Sequence, residues 1–138
     1  MKFHPYLIFD GDCRAAMEFY HSVLGGEMVA MQTHGDSPIA DEVPKEHHDL
    51  ILHACLDVGD GFLLMASDAG SGPYVKPQGL HISIQVDTPE DAERVFAGLG
   101  EGGTEIMPMG ETFWATRFGM LVDRFGTPWM VNCDAPAG

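Results

Sequence analysis

Apolar residues recur along this chain at two different spacings, and the switches between them mark its elements. Residues 3–9 read as a strand, closed by a turn at "DGD". From Cys13 to Leu24 the spacing lengthens, and Ala16, Phe19, Tyr20 and Val23 form one stripe, which predicts a helix. Asp12 is the expected N-cap, and the pair Gly25–Gly26 the stop. A strand is expected over 27–33, then a polar loop over 34–47. A hairpin follows, with "DLILHACLDV" and "FLLMAS" joined by "GDG". "GSGPYVKPQG" (70–79) has the composition of a linker.

After the linker the pattern restarts. "GLHISIQV" places Ile82, Ile84 and Val86 on one face of a strand and His81, Ser83 and Gln85 on the other. "TPEDAERVFAGLG" predicts a helix with Thr88 as N-cap and Pro89 at its first position. "TEIMPMG" reads as a strand and "ETFWATRFG" as a loop. The final pair is "MLVD" and "PWMVNCD", joined at "RFGT". The order is strand, helix and three strands, twice over.

A shift of 77 residues lays Leu7 on Ile84, Phe9 on Val86, Asp10 on Asp87 and His4 on His81. The closing hairpins align with a shift of 66, which pairs Asp57 with Asp123 and Asp68 with Asp134. The chain therefore reads as a duplicated unit with its second copy shortened. Module one spans about 1–69, the linker about 70–78 and module two about 79–134. The two first-strand histidines then occupy one place in the two copies, on the face away from the helices.

Composition narrows the function classes. Among 138 residues, acidic side chains outnumber basic ones 21 to 7, for a formal charge of −14. Such a surface repels phosphate backbones, so no nucleic-acid partner is expected. No apolar run has the roughly 20 residues of a membrane helix, and the start lacks a signal-peptide pattern, so the expectation is a cytoplasmic protein without a membrane partner. Cys13, Cys55 and Cys133 are odd in number and widely spaced, the usage of reduced, packed thiols.

Three stretches, "YLIFDGDCRAAMEFYHSVLGGE", "LMASD" and "ETFWATRFGMLVDRFGTPWMVN", resemble the vicinal oxygen chelate superfamily of glyoxalases, bleomycin-resistance proteins and dioxygenases, in its PhnB-like branch. The resemblance implies an α+β fold: two tandem βαβββ modules forming a curved, half-open mixed sheet around a concave pocket, usually in a homodimer. Metal-using members take four ligands from the first and last strands of each module. Those positions fall here on His4 and His81, and on Met65 and either Met130 or Val131. Neither register supplies an oxygen ligand. Asp68 and Asp134 would point to the opposite face.

The pocket set expected from this topology is His4, Tyr6, Met65, Ser67, His81, Ser83, Gln85, Met130 and Asn132, with Trp114 as a cap or dimer contact. An apolar floor with a few convergent polar groups suits a small-molecule ligand. His81 is the best candidate for acid–base chemistry, because imidazole titrates near neutral pH. The expectation is a small-molecule pocket without metal, its reaction unassigned. The alternative is a divalent-metal (Ni, Zn, Fe or Mn) glyoxalase-, isomerase- or dioxygenase-type enzyme using His4 and His81; a third class is a purely interacting dimer. "EHHD" (46–49) reads as a solvated loop, and His53 as bordering either the cavity or a sheet edge. Relatives labelled methyltransferase are no guide, since no nucleotide-binding glycine fingerprint occurs.

Overall fold

The computed structural model describes residues 1–70 and 72–136; Ser71, inside the expected linker, and residues 137–138 lie outside it. The chain divides into two units, Met1–Val75 and Lys76–Gly138. The first contains β1 (Tyr6–Phe9), α1 (Cys13–Leu24), β2 (Glu27–Thr33), β3 (Ile51–Asp57) and β4 (Leu63–Asp68). Its sheet runs β1-β4-β3-β2. The second contains β5 (Ile82–Gln85), α2 (Pro89–Gly100), β6 (Thr104–Gly110), β7 (Ala115–Val122) and β8 (Pro128–Asp134), in the order β5-β8-β7-β6. In both, the first and last strands pair parallel and the other neighbours antiparallel. The architecture is α+β, as tandem βαβββ units. No helix among the described residues is long and apolar enough to cross a membrane.

Each sheet buries one face under its helix. In unit one Leu7, Phe9, Ala54, Leu56, Leu64 and Ala66 are buried with Ala16, Met17, Phe19 and Tyr20 of α1. In unit two Leu121, Trp129 and Val131 are buried with Ala92, Val95, Phe96 and Leu99 of α2. Each large side chain so buried contributes about 1.5–3 kcal/mol. Gly119 marks how closely α2 lies, because a Cβ there would stand 2.7 Å from the Phe96 ring.

The two helices start differently. Thr88 caps α2 as expected, its Oγ1 accepting from the Asp91 N–H at 3.1 Å. Asp12 occupies the N-cap of α1 but makes no capping bond. Its place is taken by Asp68 at the end of β4, whose Oδ1 accepts from the N–H groups of Gly11 (2.9 Å) and Cys13 (3.0 Å). Asp68 Oδ2 accepts from the Ile51 N–H at 2.8 Å. This carboxylate is buried because three backbone donors need it.

The registers overturn the shift of 66 for the hairpins. Tyr6 faces Met65 and Ser83 faces Met130. The Val58 N–H donates to the Phe62 carbonyl, as that of Asp123 does to Thr127, so both hairpins close around three residues. Val58 and Asp123, Phe62 and Thr127, and Met65 and Met130 are each 65 residues apart. One residue of slip reverses every side chain on a strand. Asp68 therefore corresponds to Cys133, and Asp134 lies exposed on the opposite face. Asp57 and Asp123 are likewise not equivalents. Asp123 is buried, and its carboxylate accepts from the N–H groups of Phe125 and Thr127 and from Trp129 Nε1.

Three element boundaries also differ. Residues 115–119 of the expected loop "ETFWATRFG" belong to β7, because Ala115 and Gly119 pair with β8. β1 begins at Tyr6 and β5 at Ile82, so His4 and His81 stand just ahead of their strands. The loop after β2 contains two short 3-10 turns, at Ala40–Glu42 and Lys45–His47.

Candidate functional site

In unit two the sheet face away from α2 carries two rows that follow directly from strand register. Met107 faces Met120, Met120 faces Met130, and Met130 faces Ser83, so three thioethers and a hydroxyl cross four strands in one line. The next row is Phe118, Asn132 and Gln85. Directly opposed residues on antiparallel strands hold their Cβ atoms about 4.5–5.5 Å apart, within reach of one another, and Asn132 meets Gln85 across the parallel pair by a hydrogen bond. Trp114 stands edge-on to Phe118, with ring centroids 5.3 Å apart, and edge-on to the exposed Phe113 at 4.8 Å. Met107 and Trp114 keep 44% and 45% of their surface in solvent, which leaves this apolar face open for a molecule to lie on.

Asn132 is the buried polar centre of that face. Its Nδ2 donates to Gln85 Oε1 and to Asp134 Oδ1, both at 2.8 Å. Its Oδ1 is buried and has no hydrogen-bond partner. Of the expected pocket residues, the structure thus brings together Ser83, Gln85, Met130, Asn132 and, through Phe118, Trp114. His81 is half-buried two residues before Ser83. Met107, Phe118, Met120 and Asp134 belong to the same face and were not expected there. The signal for Phe118 and Met120 was the alternation "TRFGMLV", hidden by reading its first half as loop.

In unit one the corresponding face carries Tyr6 opposite Met65 and Ile8 opposite Ser67. Met65 in turn faces Cys55, and Cys55 faces Ala30. The Tyr6 hydroxyl lies 3.2 Å from His53 Nδ1, with the two rings stacked at 5.8 Å. That contact resolves the open reading of His53: it belongs to the open face, beside Tyr6.

His4 is held differently. The Leu63 N–H donates to its Nδ1 at 3.3 Å. A neutral imidazole has one free lone pair, and here the backbone takes it, so the proton sits on Nε2. In this arrangement neither nitrogen of His4 is free to ligate a cation. The last-strand positions are Met65 and Met130, whose thioethers suit soft ions rather than divalent Ni, Zn, Fe or Mn. Among the described residues no three His, Cys, Asp or Glu side chains gather as a metal-binding group. The residues at the family's ligand positions do not fit a divalent nitrogen–oxygen centre.

Among the other chemistry-bearing residues, His48 has structural partners. His48 Nε2 lies 2.9 Å from the Ala40 carbonyl and 3.1 Å from that of Val43 and donates to them, so this one side chain ties the "EHHD" loop together while Glu46 and Asp49 stand exposed. The three cysteines are free and buried. Cys13 sits at a helix N-terminus, where thiolates are ordinarily favoured. Burial, followed by the nearby Asp68 and Asp12 carboxylates, instead pushes its pKa up to about 12.

The family model described as Glyoxalase/Bleomycin resistance protein/Dioxygenase superfamily matches residues 2–131. Protein YjdN of Escherichia coli K12 is 31% identical, over 96% of this chain and 95% of its own length. The crystal structure of protein PA1353 from Pseudomonas aeruginosa is 49% identical with a TM-score of 0.89, covering 97% of this chain and 98% of that one. A Bacillus cereus structure described as a putative 3-demethylubiquinone-9 3-methyltransferase, PhnB protein, has a TM-score of 0.75 at 23% identity, covering 96% and 99%. At that identity the likeness extends to the fold alone.

Proposed function

Because the chain belongs to the glyoxalase/bleomycin resistance/dioxygenase superfamily, with PhnB-like neighbours, we propose that it uses the family's sheet face to bind a small organic molecule without relying on a divalent metal. One observation carries this reading: the in-register line Met107–Met120–Met130–Ser83, flanked by Phe118, Asn132 and Gln85 and left open beside Trp114. Thioethers adapt to irregular apolar shapes, and a few polar groups among them orient what lies there.

Within this reading His81, half-buried two residues before Ser83, handles any proton transfer to the bound molecule, since an imidazole can both accept and donate a proton. Tyr6, with His53, Met65 and Ser67, forms the second face available to ligand. A cytoplasmic location suits three free, buried thiols. A homodimer suits the exposed apolar residues, among them Phe62 and Phe113. Light scattering at micromolar concentration tests the dimer, which a mass of a single 15.0 kDa chain would refute.

A thermal-shift screen with aromatic and thiol-conjugate compounds tests the binding reading. The expected result is a rise in midpoint with several aromatic compounds, abolished by Met120→Lys, which sets a charge in the thioether line. A screen without any stabilising compound would overturn it. The competing reading, a metal enzyme with His4 and His81 as ligands, rests on the family's habit and requires His4 to release the Leu63 N–H.

A further inference from the structure

Resting on that reading, we infer that the molecule held by unit two presents a hydrogen-bond donor, an N–H or O–H on an uncharged or cationic group, to Oδ1 of Asn132. The orientation of the amide is dictated by its surroundings. A carboxylate only accepts, so the branch of Asn132 lying 2.8 Å from Asp134 Oδ1 is the NH2 group. The same nitrogen donates its other hydrogen to Gln85 Oε1, and both donors are spent. The oxygen is left on the opposite branch, out of water and without a donor. Its in-register neighbour away from Gln85 is Phe118, and the residue two places back on the same face is Met130. Neither can donate.

A buried acceptor without a partner is unfavourable, and native proteins leave few of them. Here the orphan sits among thioethers and aromatic rings as well as Ser83, Gln85 and Asp134, and a ligand donor that displaces the side chains covering it relieves it. Anions are disfavoured at the same spot. A ligand carboxylate or phosphonate would set acceptors against Asn132 Oδ1, close to the Asp134 carboxylate bound to the same amide. An amide, phenol or amine on an apolar body meets both requirements.

The experiment uses the full chain and four matched probes: benzamide, N-methylbenzamide, N,N-dimethylbenzamide and benzoate. Dissociation constants are read from chemical-shift titrations of wild type and Asn132→Leu. In wild type, the two probes that keep an N–H are expected to bind about tenfold tighter than the dimethyl amide, the yield of one well-made buried hydrogen bond. Benzoate is expected to bind most weakly. In Asn132→Leu the preference among the amides disappears. Equal affinities in wild type, or a preference unchanged in the variant, overturn this inference and leave the binding reading standing. Failure of all four to bind at millimolar concentration overturns the binding reading and the inference with it. The wild-type comparison decides by itself should the variant not fold.

Discussion

Asp68 Oδ1 lies 3.0 Å from the backbone nitrogen of Cys13, so the last strand of unit one caps the helix that begins 55 residues earlier. The same carboxylate holds Gly11 and Ile51. Strand, helix start and hairpin entry are thus tied at one buried point. Asp68→Ala leaves the buried N–H groups of Cys13 and Ile51, and the part-buried one of Gly11, without their acceptor and is expected to cost about 3 kcal/mol or more. Asp12→Ala removes no capping bond, and its expected cost stays below about 0.5 kcal/mol. Urea unfolding of the two variants checks the assignment; equal losses would return the cap to Asp12.

The thiol beside that cap is expected to be inert. Cys13 is raised from about 9 to about 12, first by burial and then by Asp68 and Asp12. The folded chain keeps its proton at pH values where the unfolded chain has lost it. Stability from this group is therefore complete below pH 9 and falls as pH rises toward 12, by up to about 1.4 kcal/mol per pH unit. Cys13→Ala should flatten the decline of stability between pH 9 and 11. A thiol reagent at pH 8 is expected to react slowly with native protein and with all three cysteines once it is unfolded.

Asn132 sets stability against binding. Asn132→Leu removes the orphaned oxygen, while Gln85 and Asp134 are exposed and turn to water. The variant is expected to be more stable than wild type by about 1 kcal/mol. Denaturant midpoints measure this directly. A variant destabilised by 2 kcal/mol or more on that order would mean the oxygen already has a partner worth keeping.

Elemental analysis of protein purified without chelators addresses the metal. The expected content of nickel, zinc, iron and manganese is far below one per chain, and the melting midpoint is expected to ignore chelator. Stoichiometric metal that disappears in His81→Ala would instead favour the metal-enzyme alternative, with Leu63 N–H and His4 Nδ1 parted in solution.

Much of the scaffold is written locally. α1 and β2 occupy the spans read from apolar spacing, and Thr88 and Pro89 start α2 as their own chemistry dictates. Ser83, Gln85, Met130 and Asn132 share a face because strand alternation demands it, and alternation is visible one strand at a time. Residues 115–119 lie beyond what alternation within one strand can reveal. Aromatic and glycine residues there resemble a loop until β8 supplies the hydrogen bonds that make them a strand.

What tertiary structure alone decided were relations between distant segments. The hairpin shift of 65 rather than 66, the burial of Asp68 under α1, the claim of Leu63 on His4 and the meeting of Tyr6 with His53 all depend on register. The chain by itself determines the order of elements and the inward or outward alternation within each, because those follow from neighbours a few residues apart. Register between strands is set by the packing of whole faces, and one residue of slip, invisible in composition or spacing, exchanges a helix cap for a solvent-facing charge.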